Sequence, residues 1–301
     1  MMNILTLSHV KKAFGTSEVL RDVSISVPEH SVFGFIGQNG AGKTTCMKMV
    51  LGLLQPDGGD IFVKEEPVVY GQNRTNRYIG YLPDVPEFYG FMTPTEYLAM
   101  CGEITGMRRE EIRQKSAQLL ELVGLTTANK RIKGFSRGMK QRLGIAQALL
   151  NGPELLICDE PTSALDPVGR KEILEVLRAV RERTTVLFST HILSDVERIC
   201  DRIAFLHDGK IVLNGTLEEV RAKRRGGNIA LEFASAEEAE RFLRLYGSGK
   251  KESAQRILLE NGAVEDRTGL WRCLMNGAFD LERMERTEPT LEDLFMEVAG
   301  R

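Results

Sequence analysis

The stretch Gly37-Gln38-Asn39-Gly40-Ala41-Gly42-Lys43-Thr44-Thr45 decides how the chain is read. It fits G-x-x-x-x-G-K-[ST], a loop that cradles phosphates. Its flanks supply the context that this pattern needs. The apolar run Ser31–Ile36 predicts a buried strand, and Thr44–Leu54 predicts a helix. Gly37, Gly40 and Gly42 let the backbone curl so that successive N–H groups point inward as an anion nest. The helix that follows adds about half a positive charge at its N-terminus. Lys43 is long enough to reach the β- and γ-phosphates, and the Thr44 hydroxyl is a ligand for Mg²⁺. Gln38, Asn39, Ala41 and Thr45 complete the set of loop residues expected at the nucleotide. A nucleoside triphosphate is therefore the expected ligand.

Composition sets the limits. The chain has 301 residues, enough for one large domain or two smaller ones. Hydrophobic residues make up 42 %, ample for a core, and the net charge of −2 gives no overall field for nucleic acid. Five cysteines, at 46, 101, 158, 200 and 273, are scattered without a C-x-x-C pair. This usage predicts reduced core thiols in a cytosolic protein, with neither disulfides nor a zinc site. The N-terminus has no basic region followed by an apolar one, so no signal peptide is expected. No window of 18 apolar residues exists, so the chain is expected not to span a membrane itself.

Periodicity along the chain alternates between strand and helix. Residues 3–36 and several short runs over 60–82 read as strands. A helix is expected after Thr93-Pro94-Thr95-Glu96, which combines a capping hydroxyl, a proline and a glutamate. Residues 110–123 and 136–150 predict two more helices, so 93–150 is a helical insertion. Leu155–Cys158, a helix over 168–183, a strand over 185–189 and a short helix over 193–200 follow. Asp208-Gly209 joins two further strands as a hairpin turn. This alternation predicts an α/β fold with a largely parallel sheet covered on both faces. A boundary is expected near Gly215. The domains are thus 1–215 and 216–301, the second a small α+β unit. In it, strands are expected over 229–233, 263–267 and 270–275, and helices over 236–246 and 289–298. The basic cluster at 221–225 reads as a solvated helix end.

The run Leu155–Cys158 ends in Asp159 and Glu160. A strand that delivers an aspartate beside the phosphate loop supplies the second metal element, so Asp159 is expected to bind Mg²⁺. Glu160, where the chain leaves the sheet, is placed to polarise an attacking water as a general base. His191 closes the next strand at the same crevice and is expected to touch the γ-phosphate.

These pieces, in this order, resemble the ATP-binding cassette (ABC) ATPase family over about residues 3–215. Phe135-Ser136-Arg137-Gly138-Met139-Lys140-Gln141-Arg142 resembles that family's signature motif, and Pro161–Asp166 is similar to its D-loop. The resemblance implies a P-loop cassette with an antiparallel β subdomain. It implies that Phe14 stacks on adenine, and that Ser136 and Gly138 meet the γ-phosphate held by an opposite cassette. Two cassettes then close on two ATP molecules, so a homodimer, or a heterodimer with a second cassette, is implied. An integral membrane permease is the implied partner, and the cytoplasmic face of the cell membrane the implied location.

The chain departs from the family pattern twice. The signature usually has Gly-Gly-Gln after its serine; here it is Arg137-Gly138-Met139. Arg137 either adds positive charge near phosphate or points to solvent. Asp84 stands where the family's Q-loop has glutamine, and can still hold a water on Mg²⁺. The aromatic patch Phe88-Tyr89-Gly90-Phe91-Met92 reads either as core or as a groove for a short helix of the membrane partner. The tail around Pro289–Phe295 resembles cassettes that serve exporters. A GTPase is disfavoured because Asn129-Lys130-Arg131-Ile132 lacks the guanine-specifying aspartate. The expected function is the ATPase subunit of an exporter. A soluble switch acting on a ribosome or nucleic acid is the second reading.

Overall fold

The computed structural model describes residues 2–126, 130–222, 228–259 and 267–287, with Leu291, Leu294 and Phe295. The chain forms two compact units, Met1–Leu217 and Glu218–Arg301.

In the first unit, β1 (Asn3–Phe14) and β2 (Ser17–Pro28) alternate buried apolar with exposed polar residues, as strands with one covered face do. β3 (Val32–Ile36) is buried at every position and runs straight into the glycine loop and α1 (Lys43–Val50). β4 (Gly58–Val63), β5 (Glu66–Pro67) and β6 (Ile79–Leu82) follow. The helical insertion is α2 (Pro94–Ile104), α3 (Arg109–Leu122) and α4 (Arg137–Leu149). The capping box at α2 forms: Thr93 Oγ1 accepts from Glu96 N at 3.3 Å, and Thr93 N donates to Glu96 Oε2 at 2.8 Å. β7 (Leu155–Cys158), α5 (Pro167–Val180), β8 (Thr185–Thr190) and α6 (Leu193–Ile199) return the chain to the sheet. β9 (Arg202–His207) and β10 (Lys210–Thr216) complete it. Their turn has φ of +46° at Asp208 and +71° at Gly209, the two positive values that this hairpin type needs.

These strands form one ten-stranded sheet, ordered β5-β4-β1-β2-β10-β9-β3-β8-β7-β6. The ladder from β9 through β3, β8 and β7 to β6 is parallel. The other half is antiparallel, except where β10 meets β2. Cys46, Met47, Met49 and Val50 of α1 pack in the fold of this sheet. Leu5, Leu7 and Ile25 face them from the antiparallel side, and Phe33, Phe35, Leu155 and Ile157 from the parallel side. Each such fully buried side chain contributes about 1.5–3 kcal/mol. The core therefore anchors the helix that starts at the glycine loop. Burial pushes the Cys46 thiol up to about 12. All five cysteines are free.

The second unit is a four-stranded antiparallel sheet ordered β12-β13-β11-β14, with two helices packed on one face. α7 (Leu217–Ala222) spans the boundary between the units. The strands are β11 (Asn228–Phe233), β12 (Lys250–Lys251), β13 (Arg256–Leu259) and β14 (Leu281–Thr287). The helices are α8 (Ala236–Tyr246) and α9 (Arg267–Gly277). Among the described residues of the unit the elements from β11 to β14 run β-α-β-β-α-β, with the edge order 4-1-3-2 once the strands are numbered within the unit, as in a ferredoxin-like split βαβ. The strand expected over 270–275 is a helix. Leu270 and Leu274, four apart, are buried on the sheet while Trp271 and Met275 are exposed, so the apolar run has helical period. β12, β13 and β14 were not anticipated, although Ile257 and Leu259 of β13 alternate inward. The run at 263–266, the basic residues 223–225 and most of the helix expected over 289–298 lie outside the described residues.

One glycine of the parallel half shows how tightly the insertion is seated. A Cβ at Gly80 of β6 would lie 2.2 Å from the backbone oxygen of Ala148 near the end of α4. Gly80→Ala is expected to cost about 2 kcal/mol through overpacking, lowering Tm by roughly 4–8 °C for a unit of this size. A thermal melt that matches the parent would show that α4 gives way freely there.

Candidate nucleotide site

The site lies where the parallel strands end. Ile36, Leu82, Cys158 and Thr190 are the last residues of β3, β6, β7 and β8, and the register places these ends side by side. In an open α/β sheet this carboxyl edge is where ligands bind. Gly37 N donates to Thr190 O at 3.3 Å, tying the loop to the neighbouring strand. Gly42 caps α1 at φ +105°, where a Cβ would come within 2.8 Å of Leu20. A side chain there would both strain the backbone and clash. Gln38, Asn39 and Gly40 are exposed, Ala41 and Thr45 half-buried. A Cβ at Gly40 would meet nothing within 4 Å, so the loop opens outward at that point.

Lys43 is 5 % exposed yet well provided with oxygen. Its Nζ donates to Gly37 O at 2.7 Å and Gln38 O at 3.1 Å, and pairs with Glu160 Oε1 at 3.0 Å. Thr44 Oγ1 donates to Asp159 Oδ2 at 2.6 Å. Asp159, buried, accepts from Ser189 Oγ at 2.7 Å on its other oxygen. Ser189 Oγ in turn accepts from Glu160 N at 3.0 Å. Glu160 Oε2 lies 2.9 Å from His191 Nδ1. Five of the expected residues, Lys43, Thr44, Asp159, Glu160 and His191, therefore form one connected cluster. Glu160 sits in it with φ +48°, and Ala164 with +52°. For residues other than glycine such conformations cost about 1–2 kcal/mol each. They persist where the surroundings over-determine them, which is common at reactive sites.

Ser189 was not among the expected site residues, yet it joins Asp159 to Glu160. The signal was available in the register: Cys158 pairs with Phe188, so the next residue of each strand, Asp159 and Ser189, come together.

Ser136, Gly138 and Phe14 stand apart from this cluster. Ser136 caps α4, its Oγ accepting from Met139 N at 3.2 Å. Gly138 has Leu165 as its nearest neighbour, at 3.9 Å from an added Cβ. Phe14 is 50 % exposed at the end of β1, with Lys12 Nζ 5.5 Å from its ring centre. Asp57 fixes that strand end, accepting from Ala13 N and Lys12 Nζ at 2.7 Å each.

Arg137 pairs with an acid while its side chain stays 43 % exposed. Its Nη2 lies 3.3 Å from Asp84 Oδ1, so the two departures from the family pattern pair with each other. Gln141, buried on α4, donates to the Asp84 carbonyl at 2.5 Å. Burial pushes the Asp84 carboxyl above its usual range; Arg137 pulls it back, and the charges of Asp159 and Glu160 add to the rise. Asp84 is thus electrically within reach of the acidic pair. Beside it a groove of about 460 Å³ runs between Pro86, Phe88, Ile132 and Lys140. The aromatic patch divides there. Phe88 packs edge-on against Tyr97 at 5.0 Å, whereas Tyr89 and Phe91 are exposed.

Among the described residues no three His, Cys, Asp or Glu side chains converge on a ready-made metal site. No helix among them is long and apolar enough to cross a membrane.

Comparison with known proteins gives the family. The ABC transporter family profile matches residues 20–163. The ABC transporter ATP-binding protein YxlF of Bacillus subtilis (strain 168) is 37 % identical over 98 % of this chain and 99 % of its own. The Nod factor export ATP-binding protein I of Rhizobium sp. (strain N33) is 34 % identical over 99 % of this chain and 97 % of its own. A solved ATP-binding subunit of an ABC transporter superposes with a TM-score of 0.66 at 32 % identity, covering 73 % of this chain and 92 % of that one. A glycine loop, two strand-end acids and a histidine assembled on one sheet edge, in a chain that aligns end to end with such relatives, make this protein a member of the ABC transporter family, one of its ATP-binding and ATP-hydrolysing subunits.

Proposed function

We propose that the chain binds ATP with Mg²⁺ on the Gly37–Thr45 loop and hydrolyses it to drive an exporter whose membrane-spanning part is a separate permease. The convergence of Lys43, Thr44, Asp159, Glu160 and His191 carries this reading. Thr44 Oγ1 and Asp159 Oδ2, 2.6 Å apart, form the kind of hard oxygen pair that suits Mg²⁺, and would hold it. Asp84 would lend a further oxygen through water. The bound ion supplies charge neutralisation for the phosphate oxygens. Phe14 offers its exposed ring to the adenine.

In hydrolysis a water oxygen forms a bond to the γ-phosphorus while the bond to the ADP oxygen breaks, and the water's proton passes to Glu160. Lys43 supports Glu160 from one side and shares its ammonium with the phosphates. His191 holds the other carboxylate oxygen through Nδ1, and its imidazolium form, a donor at both nitrogens, would also reach the γ-phosphate. Ser136 and Gly138, at the N-terminus of α4, would meet the nucleotide of a second cassette, so the working unit is a dimer. The groove beside Phe88 would receive a helix of the permease, on the cytoplasmic face of the membrane. The relatives bear transport names, which favours this reading over a switch acting on ribosomes or nucleic acid. We further propose residues 1–215 as the cassette, with 93–150 its helical part, and 216–301 as an accessory domain.

Glu160→Gln is expected to slow turnover by roughly 10²–10⁴-fold while ATP stays bound; steady-state hydrolysis near the parental rate would remove Glu160 from the base role. Lys43→Ala should weaken ATP binding itself, read by titration calorimetry, and unchanged affinity would contradict the loop assignment. The same variant leaves Glu160 without one partner of a largely buried pair, a loss of about 3–5 kcal/mol, so its melt should fall as well.

A further inference from the structure

Behind Glu160 and His191, the same two chain segments are fastened a second time. The turn that follows Glu160 carries two left-handed residues, Glu160 and Ala164, neither of them glycine. Such a turn keeps its shape only where something holds it. Thr162 lies between the two, wholly buried, and donates its hydroxyl to Asp195 Oδ2 at 2.7 Å. Asp195 is 3 % exposed and stands in the first turn of α6, just after His191. Its other oxygen accepts from Arg170 Nη2 of α5 at 2.6 Å. One buried carboxylate therefore joins the turn of Glu160, the helix after His191 and the helix α5.

No step of the proposed hydrolysis uses Thr162, Asp195 or Arg170. A buried charge is expensive unless paired and hydrogen-bonded, and both oxygens of Asp195 are engaged. We propose that Asp195, acting through Thr162, is a positioning residue for hydrolysis: it holds the strained turn so that the Glu160 carboxylate stays between Lys43 and His191. The proposal rests on the reading of Glu160 as the base. Glu160 is fixed in front by Ser189 at its backbone nitrogen. Two residues on, Thr162 is the rear fixing point. Without it, the turn keeps its backbone bonds from Ser163 N to Glu160 O at 3.0 Å and from Leu165 N to Thr162 O at 3.4 Å but loses its tie to α6, so the peptide planes around Glu160 can shift from φ +48° and carry the carboxylate off its two partners.

Thr162→Val removes the hydroxyl, keeps the shape and leaves the Arg170–Asp195 pair in place. The expected result is a kcat lower by roughly 10–100-fold, with the Kd for ATP and KM unchanged. Thr162→Ser, which retains the donor, should return kcat to the parental level. Should the valine variant fail to fold, Thr162→Ala is expected to give the same loss of kcat, with the same contrast to serine. Parental kcat in the valine or alanine variant would overturn the proposal. So would a serine variant as slow as the valine one, since the methyl packing and not the hydroxyl would then matter. Glu160→Gln assayed alongside separates the two claims. If it hydrolyses ATP at the parental rate, the base reading fails and the proposal with it. If it is slow while Thr162→Val is not, the positioning role alone fails.

Discussion

Lys43 and Glu160 make one ion pair across the mouth of the glycine loop, and the site is organised around it. The ammonium is almost wholly buried, with two loop carbonyls and one carboxylate oxygen as partners. A buried charge needs such company to be tolerated at all. The pair therefore dictates that the loop, the end of β7 and the start of α1 stay in one place. The same two groups are those that a polyphosphate and its attacking water require: a cation beside the phosphates and a base beside the water.

The sheet meets this demand through parallel pairing. β3, β7 and β8 run in one direction, each buried throughout, and release their chains at one edge. Three consecutive strand ends then deliver the loop, the two acids and the histidine. Ser189 locks the acids to each other, and Asp195 with Thr162 binds the segments again just beyond. The left-handed backbone at Glu160 is the cost of turning a carboxylate back over the sheet edge, offset by these bonds.

Much of this was legible in the sequence, for identifiable reasons. The loop reads from its glycines because no other residue tolerates φ +105° at Gly42, and the capping box of α2 reads from Thr93 and Glu96. Asp208-Gly209 announced its hairpin for the same backbone reason. Asp159, Glu160 and His191 were found because acids and a histidine at the ends of apolar runs have one place to go in a parallel sheet. What local pattern did not supply was pairing between distant side chains. Ser189 needs the register of β7 with β8, and the Arg137–Asp84 pair needs α4 to fold back onto the loop after β6. In the second unit, Leu270–Met275 is too short for strand and helix periods to be told apart without the sheet on which it packs.

On this reading the curled backbone from Gly37 to Thr44 seats the polyphosphate, and Thr44 and Asp159 hold the ion. Diffraction from crystals grown with a non-hydrolysable ATP analogue and Mn²⁺, with data collected at the manganese edge, tests it most directly. The expected result is β- and γ-phosphates against the loop N–H groups and Lys43, with one anomalous peak beside Thr44 Oγ1 and Asp159. A nucleotide bound elsewhere, or an ion distant from both oxygens, would contradict it.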